Sequence, residues 1–234
     1  RLDLLQDDYV TAHNLDQIGR TEDLRFGTQL SAELGVSQAA LGANRNAFVA
    51  SLGASRGYRL VHEQSLFLAG SWGSRLEGGS LRDSLLSVSS RYFWRASGKT
   101  VLFVGFAADK GSALDLDHEL MLGGDTGLRG YPLRYQTGTA RALLTVEGRY
   151  FTNWYPLRLA RVGAAVFADI GRTWGASALA VPELGTLRDV GIGLRFGNTR
   201  SALGNVLHVD LAFPLDGDPS VKSMQFLLKT YKSF

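Results

Sequence analysis

The chain has no cysteine among its 234 residues. That excludes disulfide frameworks, cysteine-ligated zinc and cysteine nucleophiles, and it fits a cell-envelope location. Histidine is scarce: His13, His62, His118 and His208 are scattered with no close spacing, so no metal site is expected. No apolar run approaches the ~20 residues of a spanning helix. The opening residues, Arg1-Leu-Asp-Leu-Leu-Gln-Asp-Asp8, do not read as a signal peptide. Basic residues are interleaved with apolar ones and the formal charge is only +3, so the basic face and module that nucleic-acid binding requires are both missing. Catalytic signatures are missing too. There is no Gly-x-Ser-x-Gly elbow, and the glycine-rich stretch lacks the Lys-Ser/Thr of a phosphate loop. His208 and Asp210 share a strand face, but a polar interior produces that spacing without catalysis. The expectation is a protein that is not an enzyme and carries no cofactor.

What the chain does have is a period of two. From Asp23 to Gly35 the even positions read Leu24, Phe26, Thr28, Leu30, Ala32, Leu34 and the odd ones Asp23, Arg25, Gly27, Gln29, Ser31, Glu33. The same contrast returns with Phe48, Leu52 against Ser51, Gly53, with Leu66, Leu68, Trp72 against Ser65, Ser71, and with Leu86, Val88, Tyr92, Trp94 against Ser87, Ser89, Arg91, Arg95. Further strands follow near Val101 to Ala108 and around Leu144, Val166, Ile192 and Val209, with a last one through Met224, Phe226 and Leu228. Strict alternation of this kind argues half-buried strands. With a weaker segment at Tyr9 to Leu15 the count is roughly eleven, and because bacterial outer-membrane barrels normally use even numbers the expectation is ten to twelve. Turns are expected at Gly73 to Ser80, Asp109 to Asp117 and Asp216 to Ser220. No linker interrupts the pattern, so residues 1–234 read as one domain.

Alternation alone does not say which face is buried. Three details favour a polar interior and an apolar exterior. The polar faces use Gly, Ser, Ala and isolated Arg, Asp or Glu, unlike the Lys, Glu and Thr of solvated sheets. Tyr92, Trp94, Tyr150, Phe151, Trp154, Tyr155 and Trp174 gather at strand ends, where interfacial aromatic girdles sit. The sequence also stops on Phe234 directly after a strand. The fold class expected is therefore all-β, an antiparallel transmembrane β-barrel integral to the bacterial outer membrane, with outer-membrane lipids around it.

Between two of the strands lies Leu122-Gly-Gly-Asp-Thr-Gly-Leu-Arg-Gly-Tyr131. Together with a strand carrying Glu147 and the segment Phe167-Ala-Asp-Ile-Gly-Arg-Thr-Trp174, it resembles the barrel of the outer-membrane-protein-eighty-five superfamily, whose members include BamA, TamA and the two-partner-secretion (TpsB) transporters. The resemblance implies a long loop, tipped by Leu-Arg-Gly-Tyr, that folds back into the barrel. It implies that the Phe-x-Asp-x-Gly segment lies on the strand one hairpin further on, and that Phe226, Leu228 and Phe234 form a C-terminal assembly signal. The partners implied are client polypeptides or assembly machinery, with insertion, assembly or translocation of proteins as the activity.

The residues support the carry-over. Asp169 and Glu147 fall on the polar faces of adjacent strands, and a guanidinium offers a planar fork that binds carboxylate in two hydrogen bonds, so Arg129 is expected to pin the loop tip to the wall. Gly127 and Gly130 permit a tight turn and a close approach to the wall, Leu128 belongs to the tip, Tyr131 is expected to pack on Phe167, and Gly171 completes the motif. The relatives have about sixteen strands and usually carry periplasmic POTRA domains, whereas this sequence has fewer strands and no such module. It reads either as a fragment or as a reduced form. In a reduced barrel the narrower interior leaves little room for a passing polypeptide beside the inward loop, which favours insertion at the seam between first and last strands. Two other classes stay open: a passive small pore or structural surface antigen, and a soluble ligand-binding β-barrel.

Overall fold

The computed structural model describes residues 1–61, 63–115, 118–175, 184–198, 205–217 and 219–232. Its strands are β1 (Leu2–Leu5), β2 (Tyr9–His13), β3 (Thr21–Arg25), β4 (Gln29–Ser37), β5 (Ala47–Arg59), β6 (Gln64–Glu77), β7 (Ser80–Arg95), β8 (Thr100–Ser112), β9 (Leu120–Leu122), β10 (Gln136–Gly138), β11 (Ala140–Phe151), β12 (Ala160–Trp174), β13 (Leu187–Asn198), β14 (Asn205–Pro214) and β15 (Gln225–Lys232). No α-helix occurs among the described residues. The protein is all-β. Eleven strands form one antiparallel sheet in the order β1-β4-β5-β6-β7-β8-β11-β12-β13-β14-β15, while β2 with β3 and β9 with β10 form two small hairpins of their own.

Because side chains alternate along each strand, the register fixes the faces. Phe48, Leu52, Leu86, Val88, Val166, Ile192, Phe226 and Leu228 stand on one side and are exposed. Arg149, Glu147, Asp169, Arg195 and Asp210 stand on the other and are buried or nearly so. That second side is concave. Ile18 of the β2–β3 hairpin approaches both Gly163 of β12 and Gly197 of β13, while Phe26 of the same excursion lies on Gly57 of β5, so strands from opposite parts of the sheet order converge on one insert. The polar face thus lies toward the insert and the apolar face away from it.

The strands run longer than the alternation alone suggests. The turn expected over Gly73 to Ser80 shrinks to Gly78 and Gly79, with φ of 53° and 81°, and the strands extend to Glu77 on one side and Ser80 on the other. Two successive positive φ values are what a two-residue hairpin turn needs to match strand twist, and glycine reaches them without steric cost. Likewise β8 continues through Asp109 to Ser112.

The sheet has two edges where a closed barrel was expected. Among the described residues no pairing joins β1 to β15. Eleven strands in an up-and-down order leave β1 and β15 running in the same direction, so the antiparallel pairing that closes an even-stranded barrel is not available to them. In addition, β1 pairs only with Gln29 to Ala32 of β4, leaving Glu33 to Ser37 without a neighbour on that side among the described residues.

The N-terminal part also departs from the simple strand reading. Asp23 to Gly35 is two strands: Asp23 to Arg25 belong to β3 and Gln29 onward to β4. The chain bends at Phe26 to Thr28, where the Phe26 amide donates to the Asp8 carbonyl at 2.8 Å and the Gln6 amide to the Thr28 carbonyl at 2.9 Å. Tyr9 to Leu15, read as a wall strand, instead begins the β2–β3 hairpin, which lies against the concave face. Ala12, Leu15 and Ile18 are buried there with Phe93, Val101, Phe151 and Val206. Phe151 consequently points inward and is not part of an exterior aromatic belt, whereas Trp94, Tyr150, Trp154 and Trp174 are exposed. The turn at 96–99, the turn at 152–159 and this hairpin share one end of the sheet, the near end. The long connection between β8 and β11 starts from the opposite, far end.

Candidate functional site

The connection from β8 to β11 carries the site. Its base is the β9–β10 pairing, with Leu122 opposite Gln136 and Leu120 opposite Gly138. Its tip closes on local bonds: the Leu128 and Thr126 amides both donate to the Gly123 carbonyl at 3.0 Å, and the Gly123 amide donates to Thr126 Oγ1 at 2.8 Å. Gly127 sits at φ 122°, a conformation that strains any residue with a Cβ. The loop is pressed onto the concave face by Leu122, Leu128 and Tyr131, which form a buried cluster with Leu187. Gly171 receives it, since a Cβ there would lie 3.1 Å from Leu122 Cδ1 and 3.3 Å from Leu128 Cδ2.

Arg129 extends from this tip between β11 and β12. Its Nε and Nη2 donate to the two carboxylate oxygens of Asp169 at 2.7 and 3.0 Å, and its Nη1 donates to Glu147 Oε2 at 2.7 Å. Thr145, directly opposite Asp169 in the β11–β12 register, donates to Asp169 Oδ1 at 2.8 Å. The guanidinium carbon lies 3.4 Å from the centre of the Phe167 ring. Phe167 therefore serves Arg129 as a cation-stacking platform. Tyr131 does not pack as expected: its ring stacks on Tyr135 at 5.4 Å, and its hydroxyl donates to the backbone carbonyls of Arg188 and Asp216 at 2.8 and 2.9 Å. Burial pushes the Tyr131 hydroxyl up to about 12, so it stays a neutral donor and ties the loop to the far ends of β13 and β14.

The network reaches beyond the residues the motif names. Arg195 Nη2 donates to Glu147 Oε2 at 3.0 Å, Arg195 pairs with Asp210, Arg149 Nε donates to Glu147 Oε1 at 2.9 Å, and Arg129 Nη1 stands 3.5 Å from Asp210 Oδ2. Three guanidiniums thus surround one carboxylate, and three acids, Glu147, Asp169 and Asp210, balance three arginines. A fourth acid, Asp189, faces Asp169 across the β12–β13 register and is buried beneath Gly130. The buried charges of Arg129, Arg149 and Arg195 and of Glu147, Asp169 and Asp210 are tolerable because they are paired and hydrogen-bonded in this way. Arg149, Arg195 and Asp210 were not singled out with the motif. Their signal was strand parity, which places each on the same face as Glu147 or Asp169.

Phe226 and Leu228 lie on the outward face of β15 and are exposed. Phe234 is outside the described residues. The three described histidines do not converge: His13 contacts the Arg20 carbonyl at 3.1 Å, His118 pairs with Asp83 at 2.8 Å, and His208 stands on the inner face of β14; His62 lies outside the described residues.

The closeness of the tip to the wall makes a direct prediction. A Cβ on Gly130 would lie 2.5 Å from Asp189 Cβ and 3.0 Å from the Pro214 amide nitrogen, atoms fixed by the sheet. Gly130→Ala is expected to destabilise the folded chain by about 1–3 kcal/mol through overpacking, read from its denaturant midpoint. An unchanged midpoint would mean that the tip does not press on β13 and β14.

A scan against protein-family models finds no match, and the sequence matches no curated protein.

Proposed function

We propose that this chain is an outer-membrane β-barrel of the BamA/TpsB type that assists the insertion of other polypeptides into the bacterial outer membrane. The observation that carries the reading is the inversion of the sheet: large apolar side chains on the outward face of strand after strand, around a concave face that holds six charges of one buried network. Soluble monomers rarely expose continuous apolar patches beyond a few hundred Å², whereas a lipid-embedded barrel needs one. The strands from β5 to β8 and β11 to β13 have 12 to 16 residues, enough to cross the ~9–11-residue span of a bilayer. The loop held inward by Arg129, Asp169 and Glu147 is the second support, since an inward loop of this kind is what the motif resemblance implies.

Insertion at the seam is favoured over transport through the interior. The inward loop and the β2–β3 hairpin both occupy the concave side, leaving little width for a chain to pass. By contrast, the half-covered edge of β4 and the edge of β15 present backbone groups to which a client strand can add. Phe226 and Leu228 then face lipid beside that seam.

Two measurements separate this reading from its rivals. The refolded chain is expected to float with phosphatidylcholine vesicles and to need detergent for extraction; recovery in the aqueous phase would establish the soluble ligand-binding reading. Vesicles holding the chain are then expected to speed the folding of an added eight-stranded outer-membrane barrel by about tenfold. Flotation without acceleration would leave a passive pore or surface antigen.

A further inference from the structure

We infer that the β2–β3 hairpin is a plug for the near end of the barrel interior, latched to the same strand residues that hold the far loop, so that the two closures support one another. The inference rests on reading the concave face as a lumen. Two sets of contacts place the plug. Leu15 and Ile18 fill the gap between Phe93, Val101, Phe151 and Val206, drawn from β7, β8, β11 and β14. Polar bonds ring the same insert: Arg95 Nη1 donates to the His13 carbonyl at 3.4 Å, Arg20 Nη1 to the Asn198 carbonyl at 3.3 Å and Asn14 Nδ2 to the Gly98 carbonyl at 3.4 Å. The tip is braced internally by Glu22, whose carboxylate accepts the Leu15 and Asp16 amides at 2.8 and 2.9 Å.

The latch is Arg149. Its Nη1 donates to the Leu15 carbonyl at 2.7 Å and to Asp16 Oδ1 at 2.8 Å, while its Nε donates to Glu147 Oε1 at 2.9 Å. Glu147 uses its other oxygen for Arg129. A chain of charge-assisted bonds therefore runs from the far loop to the near plug: Arg129, Glu147, Arg149, Asp16. Glu147 and Arg149 are two residues apart on one strand and share a face, so neither link can be lost without changing the charge balance seen by the other.

Because the chain has no cysteine, engineered single thiols report without background. The full chain carrying either Ile18→Cys or Leu128→Cys, refolded in detergent micelles, is expected to react slowly with a charged maleimide. Asp16→Asn weakens the hold on Arg149 and touches nothing in the far loop. It is expected to speed labelling at Ile18→Cys about tenfold and at Leu128→Cys about threefold, as local opening becomes cheaper. Acceleration at Ile18→Cys alone overturns the link, and no acceleration at either overturns the latch. Fast labelling of Ile18→Cys without Asp16→Asn overturns the plug. Should Asp16→Asn not fold, the pair Ile18→Cys/Gly197→Cys replaces it. A Gly197 Cβ would lie 2.9 Å from Ile18 Cβ, so the docked plug crosslinks on oxidation after a small shift, and failure to crosslink overturns the docking. Slow labelling in a chain that does not float with vesicles would support the plug and sink the membrane reading instead.

Discussion

Arg129→Ala is expected to destabilise the chain by about 3–5 kcal/mol, the range for removing one partner of a buried ion pair. The reason is less the lost attraction than what stays behind. Asp169 and Glu147 are buried, with side-chain exposures of 0% and 3%, and each was hydrogen-bonded to the missing guanidinium. The protein can relieve that by letting the loop swing out and admitting water. This exposes Leu128 and Tyr131, which lie in the same buried cluster, so relief on one account is cost on another. Arg129→Lys should recover only part of the loss, because an ammonium cannot place two donors on Asp169, a third on Glu147 and a planar face on Phe167 together. Arg129→Ala/Asp169→Asn should be more stable than Arg129→Ala alone, since it removes one uncompensated charge. Denaturant midpoints of the four chains in one detergent test this. Equal midpoints for the parent and Arg129→Ala would show that the clasp contributes nothing to the fold, and a double variant no better than the single one would refute the charge explanation. In the vesicle assay, Arg129→Ala should lose most of the acceleration while keeping its β signature.

How far the sequence reaches is set by what a period of two can encode. Alternation assigns faces, and face assignment is enough to set Glu147, Asp169 and Arg129 together, because the first two must point inward from neighbouring strands and the third sits on a glycine-rich connection between β8 and β11. Arg195 and Asp210 were within reach by the same parity, yet nothing in their spacing says that they pair across β13 and β14 in this register. The β2–β3 hairpin was out of reach for a sharper reason. Leu24, Phe26, Thr28 and Leu30 keep one parity through a reversal of the chain, so the pattern looks unbroken. But Leu24 packs on the concave-side cluster and Leu30 faces outward. The bend is carried by Gly27, where a Cβ would collide with the Gln6 carbonyl, a contact between residues far apart in sequence. Tyr131 was misplaced because a tyrosine next to Phe167 offers an aromatic pairing on paper, while the hydroxyl's need for buried acceptors takes it to Arg188 and Asp216.

Glu147→Gln is expected to have an effect at least as large as that of Arg129→Ala, about 3–5 kcal/mol, although it changes one atom of a nearly isosteric side chain. Among the described residues Glu147 is the one acid hydrogen-bonded to three arginines: Oε2 accepts from Arg129 and Arg195, and Oε1 from Arg149. An amide has a single acceptor oxygen, and its NH₂ group would point donors at a guanidinium. Removing the charge leaves Arg129 and Arg195 to share Asp169 and Asp210, and Arg149 with Asp16, so each guanidinium loses one charged acceptor. The damage also spreads further than in Arg129→Ala, because Glu147 lies in the path from the far loop to the near hairpin. Thiols at both Leu128→Cys and Ile18→Cys should become more reactive in this background, whereas Arg129→Ala should affect Leu128→Cys more strongly. Arg195→Met supplies the decisive comparison, since Arg195 touches neither closure but takes part in the charge balance. Added to Glu147→Gln it is expected to cost about 1–2 kcal/mol less than it does alone, because Arg195 has by then lost one of its two acid partners, a coupling of ordinary size for residues in one network. Strictly additive losses in the double variant would mean that each pair stands alone and that Glu147 is one ligand among several, with no role in joining the two ends.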